Sequence, residues 1–152
     1  MKFIRNQLRA PCFIDVPLTD VAFLESDLNE VAFDRAQFDR VAMIDCRADL
    51  ACSVQARRAR FDRAKMPAAC FIGALPPNTS WTATNLSAVL FNQADLQGSD
   101  LAGASLIRTD LRRARLADVS LYGADLTDTL LENTILDRSL IDMTKLAGPN
   151  YP

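Results

Sequence analysis

From Trp81 onward a large apolar residue occupies every fifth position without a gap: Trp81, Leu86, Phe91, Leu96, Leu101, Leu106, Leu111, Leu116, Leu121, Leu126, Leu131, Leu136, Ile141 and Leu146. Two residues before each stands a small or β-branched one, as at Thr84, Val89, Ala94, Ser99 and Ala104. The N-terminal part keeps the same period in another phase, with Phe3, Leu8, Phe13, Leu18, Phe23, Leu28, Phe33, Phe38 and Met43. Phe61, Met66 and Phe71 already share the later phase. A period of five suits no regular element. On an α-helix five residues advance about 500°, so successive apolar positions drift by about 140° and no stripe forms. On a strand every second repeat would fall on the wrong face. A chain that turns a corner every five residues satisfies the pattern, with one large and one small residue inward on each short side and three residues outward.

Stretches such as Ala94-Asp95-Leu96, Ser99-Asp100-Leu101 and Ala124-Asp125-Leu126 resemble the A-(D/N)-L-x-x signature of the pentapeptide-repeat family. The resemblance covers nearly the whole chain, from about Phe3 to Leu146. It implies an all-β fold: a single right-handed quadrilateral β-helix over residues 1–152, with four pentapeptides per coil, about seven coils, and coils stacked about 4.8 Å apart.

A coil of four pentapeptides places side chains four repeats apart one above the other. Opposite charges recur at that offset: Arg5–Glu25, Asp15–Arg35, Asp20–Arg40, Asp27–Arg47, Asp45–Lys65, Asp95–Arg115, Arg108–Asp128, Arg112–Glu132, Asp118–Arg138 and Asp125–Lys145. Only Glu25–Asp45 and Arg40–Arg60 are like pairs. Facing like charges destabilise a sheet, so the bias supports the coil length.

The pattern fails twice. Met43 to Phe61 is not a multiple of five, which predicts an insertion or bulge within 46–58. In 73–78, Pro76 stands on a large-residue position and Pro77 follows it; proline donates nothing to a ladder, so this side is expected to bulge. Breaks in a regular scaffold are candidate sites of function.

Charge adds one feature. The net charge of −2 hides a basic stretch. Residues 51–80 carry five basic side chains (Arg57, Arg58, Arg60, Arg63 and Lys65) against the single acidic Asp62. These five, with Pro76 and Pro77, are the candidate interaction surface. Outward apolar residues in the last coil, Leu130, Leu140 and Met143, are the candidate surface for a homodimer.

The chemistry excludes more than it suggests. The chain has no histidine, and none of Cys12, Cys46, Cys52 and Cys70 forms a C-x-x-C pair. No catalytic, metal or cofactor site is expected, and the cysteines read as free thiols of a reducing cytoplasm. Asp95, Asp100, Asp110 and Asp125 stand at the repeat's second position and read as turn-bonding or solvated residues rather than acid–base pairs. Trp81 reads as core filler. The N-terminus has no apolar signal segment, no run is long enough to span a membrane, and the charge balance does not suggest nucleic-acid binding.

The expected function is a non-enzymatic protein-binding scaffold or adaptor. The resemblance implies two alternatives. One is a mimic of duplex DNA that binds gyrase or another type II topoisomerase and protects against quinolones. The other is a bacterial secretion-associated accessory factor.

Overall fold

The computed structural model describes residues 1–6, 12–28, 31, 33, 36–48, 55–74 and 77–148. Six three-residue strands occur among them: β1 Lys2–Ile4, β2 Pro17–Thr19, β3 Ala22–Leu24, β4 Gln37–Asp39, β5 Ala42–Ile44 and β6 Gln55–Arg57. They form two parallel sheets ordered β1-β3-β5 and β2-β4-β6. Beyond β6 the pairing contracts to single parallel bridges that recur every five residues. Four ladders result: Ser80–Asp100–Ser120–Leu140, Asn85–Ser105–Asp125–Lys145, Leu90–Asp110–Leu130 and Asp95–Arg115–Ile135. Each bridge joins residues four pentapeptides apart, so the chain is a four-sided β-helix.

The corners make this possible. Every fifth residue from Arg58 to Met143 has a positive φ, between +49° and +68°, whether or not it is glycine. At the corners from Ala83 to Met143 the amide three residues after the inward residue donates back to that residue's carbonyl, as Ala104 N does to Leu101 O at 3.0 Å. The left-handed conformation is costly for a side chain bearing a Cβ. Glycine is therefore the unstrained choice, and at Gly98 a Cβ would also lie 2.6 Å from Asn78 Oδ1 and require that side chain to move.

Backbone satisfaction explains the repeat's second position. The inward leucine N–H donates to the next coil, as Leu106 N does to Asp125 O at 2.7 Å. The residue before it donates to the coil behind, as Ser105 N does to Thr84 O. The first corner amide has no backbone partner of this kind. The Asp or Asn side chain two residues earlier accepts from it: Asp95 from Gln97 N, Asp100 from Ala102 N, Asp110 from Arg112 N and Asp125 from Thr127 N. These aspartates are turn-bonding groups, as the sequence suggested.

The core is a column of stacked side chains. N-terminal coils stack aromatic rings, Phe3 on Phe23 at 5.0 Å and Phe61 on Trp81 at 4.3 Å; after Phe91 leucine fills every large inward position but Ile141. Trp81 is fully buried, and its indole N–H donates to Thr79 Oγ1 at 2.6 Å, so it belongs to the core. Leu86, Leu106 and Leu126 lie one above the other and are buried. Each adds about 1.5–3 kcal/mol through burial. Inward threonines fit because their hydroxyls reach a carbonyl of the coil behind, as Thr109 does to Leu86 O and Thr129 to Leu106 O.

The register changes by shortening, which corrects the expected insertion. Gln37 pairs with Gln55, and Arg47 with Lys65; both spacings are two positions shorter than that of the pair Asp27 and Arg47. The positions missing from this coil fall between Ala48 and Gln55, whose inner part lies outside the described residues. The second break leaves the period intact: Gly73 and Asn78 keep the corner conformation, and Asn78 N still donates to Gln97 O. Pro76 lies outside the described residues.

Ion pairs run along the ladders. Arg5–Glu25, Asp20–Arg40, Asp95–Arg115, Arg112–Glu132, Asp118–Arg138 and Asp125–Lys145 form at the expected offset, at 2.6–3.9 Å. Arg108 and Asp128 do not form an ion pair, Asp27 faces Arg47 as a backbone partner, and Arg35 lies outside the described residues. Where the coil is short the partners shift, and Asp45 holds Arg63 instead of Lys65 at 2.7 Å. The guanidiniums of Arg40, Arg63 and Arg138 hold the carboxyls of Asp20, Asp45 and Asp118 below the usual carboxylate range. The Thr127 hydroxyl, and then Lys145, does the same for Asp125.

Three measurements check this account of the fold. Leu106→Ala should cost about 2–5 kcal/mol, as truncation in a packed core does, with a matching fall in the melting midpoint. Ala88→Gly, at a corner with φ +59°, should raise the midpoint by a few degrees, contrary to the usual effect of glycine, since about 1 kcal/mol of strain is relieved. The paired aspartates have lowered pKa values, so their contribution is whole above the unfolded carboxylate pKa and is lost as pH falls through the folded one. The midpoint should therefore drop below about pH 4, and less steeply in Asp118→Asn.

Candidate functional site

The basic stretch wraps the helix instead of forming a patch. Arg57 lies in β6, one side away from Arg60, Asp62 and Arg63, and Lys65 begins the side after that. The Arg57 side chain lies outside what the structure describes. Three of the other four basic groups are neutralised. Arg58 reaches Asp39 at 3.3 Å and Arg63 holds Asp45. Arg60 bonds Asp62 through two nitrogens, at 2.6 and 3.0 Å, and Ser80 donates to the other oxygen of that carboxylate. The Asp62 side chain, held between Arg60 and Ser80, is only 7% exposed. Lys65 differs: its backbone partners are Arg47 and Asn85, so two cations are neighbours there. Pro77 is half-buried beside the Asn78 corner and is not brought to Lys65.

A different corner carries a recess that sequence reasoning missed. Three successive coils stack Asn92 and Gln93, Arg112 and Arg113, and Glu132 and Asn133 around an open polar cleft of about 300 Å³. Its two arginines differ. Arg112 folds back on Asp110, with nitrogens 2.9 and 2.7 Å from the two carboxylate oxygens, and Glu132 lies 3.7 Å away. The Asp110 carboxyl is held low chiefly by that guanidinium. Arg113 occupies the corner position at φ +59°, is exposed to solvent, and forms no ion pair among the described residues. Exposed Leu90 lies on the adjoining side and Ile72 at the same corner, one coil behind Asn92. The signal in the sequence was the Arg112-Arg113 pair, whose partners one coil away are one acid, Glu132, and three amides, Asn92, Gln93 and Asn133.

The candidate dimer residues lie in the last coil. Leu140 is 62% and Met143 78% exposed, and Leu130 is half-buried.

The cysteines depart from expectation. Cys70 is disulfide-bonded, to a partner outside the described residues, while Cys12 and Cys46 are free. They therefore give no argument for a reducing compartment. Burial pushes the Cys46 thiol up, and its sulfur donates to Phe23 O at 3.2 Å, so it is a core group. The described residues include no cluster of metal-binding side chains and no helix long and apolar enough to cross a membrane.

Comparison with known proteins agrees with this geometry. The Pentapeptide repeats family profile matches residues 82–118 and 94–133, with eight repeat copies. No curated protein matches the chain. A pentapeptide repeat protein of the Arabidopsis thaliana thylakoid lumen is 23% identical, over 64% of this chain and 67% of that one, with a TM-score of 0.58. HetL, a pentapeptide repeat protein involved in heterocyst differentiation regulation from the cyanobacterium Nostoc, is 18% identical over 94% of this chain and 75% of its own, with a TM-score of 0.47. QnrB1, a plasmid-mediated fluoroquinolone resistance protein, is 13% identical over 95% and 88%, with a TM-score of 0.40. With the five-residue corners, the four parallel ladders and the Asp-bonded turns in place, the profile match identifies residues 82–133 as a run of pentapeptide repeats.

Proposed function

We propose that this β-helix is a non-enzymatic scaffold that binds a protein partner on its outer sides, with the contact centred on the Arg113 corner. The observation that carries this reading is the Arg113 guanidinium, which has no ion-pair partner among the described residues. It stands in a cleft lined by amides, with the exposed aliphatic side chains of Leu90 and Ile72 nearby. Arginine offers five donors in a planar fork and is enriched at protein interfaces, as is the pairing of apolar contact with a polar rim. The partner surface that fits is acidic, because Arg112 is already held by Asp110 and Glu132 while Arg113 is not.

Imitation of duplex DNA is the weaker reading. It calls for an unbroken negative face, and here the ladder carboxylates of Asp20, Asp95, Asp118 and Asp125 each face a cation one coil away. The cluster of Lys65 and Arg47 interrupts the run further.

Capture of partners from native extract on the immobilised chain, with Arg113→Lys and Arg113→Glu beside the wild type, tests the reading. A specific partner should be retained with Lys and weakened about tenfold or more with Glu, roughly 1.4 kcal/mol. Equal capture by all three would remove the corner from the account. A gyrase supercoiling assay run in parallel should show no effect of the chain, and inhibition or quinolone protection would favour the DNA-mimic reading instead.

A further inference from the structure

Seven arginines among the described residues stand at corners with a positive φ. Five of them hold a carboxylate of a neighbouring coil: Arg5 holds Glu25, Arg40 Asp20, Arg58 Asp39, Arg63 Asp45 and Arg138 Asp118. Arg108 and Arg113 form no ion pair among the described residues, and both are exposed. They are consecutive corners of one coil, at the two ends of the side centred on Asp110. The causes differ. Arg113 meets amides one coil either way, Gln93 and Asn133. Arg108 meets Ala88 behind it and Asp128 ahead, and the Asp128 carboxylate is turned on to the coil beyond, where a Cβ on Gly148 would stand 2.5 Å from its Oδ1. Both guanidiniums are thus presented to solvent from a backbone conformation that glycine would adopt with less strain.

The side between them carries no competing charge. Asp110 at its centre is nearly buried, and both of its oxygens are taken by Arg112, at 2.9 and 2.7 Å. One coil behind Asp110 stands exposed Leu90, and one coil ahead stands half-buried Leu130. Ile107, half-buried, adjoins Arg108. The surface is therefore aliphatic in the middle and cationic at both ends.

We propose that this side binds an extended acidic peptide segment, with one carboxylate on Arg108, a second on Arg113 and an aliphatic residue between them against Leu90. The proposal rests on the reading of the Arg113 corner as a protein contact. It adds Arg108, the side between the two arginines, and the chemistry of the segment. Alternate residues of an extended chain face the same way, so the first, third and fifth residues of a strand all point at one surface. The first and fifth lie about 13 Å apart. The two arginines are five residues apart in this chain, which places their Cα atoms within about 17 Å, and their side chains close the difference. Guanidinium forks take carboxylates through paired hydrogen bonds. A nucleic-acid strand fits this side less well, because its middle offers neither a free cation for a phosphate nor an aromatic ring for a base.

NMR titration of the full chain with a blocked heptapeptide tests this. The probe has glutamate second and sixth, leucine fourth, and serine or threonine elsewhere. The Nε–H signals of Arg108 and Arg113 and the methyl signals of Leu90 should shift together. Arg108→Asn and Arg113→Asn should each weaken binding at least fivefold; asparagine accepts the left-handed conformation, so the coil is kept. A peptide with its two glutamates adjacent should also bind at least fivefold more weakly, and one with glutamine in their place should not bind. Equal binding of the adjacent-glutamate peptide, or binding unchanged in Arg108→Asn, overturns the proposal. Tighter binding of a short oligothymidylate than of the peptide overturns it in favour of nucleic acid. Arg108→Asn in the capture experiment separates this proposal from the reading it rests on. A native partner lost with Arg113→Glu but kept with Arg108→Asn leaves the corner contact standing and overturns the two-arginine site. Peptide binding that needs both arginines, with no partner captured, supports the site and removes the corner from the scaffold reading.

Discussion

The structure depends on one backbone constraint, the left-handed residue at every fifth position. It turns the chain through a corner while leaving the residues on either side free to pair with the coils behind and ahead. With the corner in place, the large residue of each side points inward and stacks on its counterpart in the next coil. The stacking provides burial and the ladders satisfy the backbone, but neither can form unless the corner repeats in step. The cost of holding alanine, arginine, aspartate and methionine in this conformation is distributed along the chain and is offset by the column of buried leucine and phenylalanine.

The same constraint governs the surface. Outward positions recur on fixed lines, so a charge at one position meets whatever stands four repeats on. Most acidic residues here meet a cation. That leaves a surface of local pairs with few unsatisfied groups, and the exceptions stand out: Arg113 above its amide cleft, Arg108 at the corner before it, and the neighbouring cations Arg47 and Lys65. The proposed functions rest on these departures from pairing, since the paired ladders themselves offer a partner little free charge.

The period of five was legible because each inward position repeats many times, and burial of Leu86, Leu106 and Leu126 follows from counting alone. So did the ion pairs within each phase, such as Asp118–Arg138. Counting gave less where the phase changes. Periodicity shows that a shift occurs between Met43 and Phe61, but a shortened coil and an insertion leave the same remainder, and the choice depends on which backbone pairs form. Asp45 therefore takes Arg63 and not Lys65, and the basic residues that look contiguous in sequence spread around three sides. The Arg113 cleft was hidden for a related reason. Its six residues lie in three pairs, each one coil from the next, and only side-chain direction shows that Arg112 turns back to Asp110 while Arg113 does not. The Cys70 disulfide had no local signal, because none of the four cysteines forms a C-x-x-C pair.

The central claim is that the backbone is satisfied on a five-residue cycle. Amide hydrogen exchange followed residue by residue tests it most directly. In the interior coils the inward amide, the one before it, the left-handed corner amide and the one after should all exchange slowly, as at Leu106, Ser105, Arg108 and Thr109. The first corner amide should be protected where an Asp or Asn precedes it by two, as at Ala102 and Arg112, and should exchange fast at Asn92, Ala117 and Tyr122, where Leu90, Arg115 and Ser120 stand instead. Protection that follows this cycle through residues 80–130 is the predicted result. Protection without a five-residue period, or equally slow exchange at Ala117 and Arg112, would contradict the account.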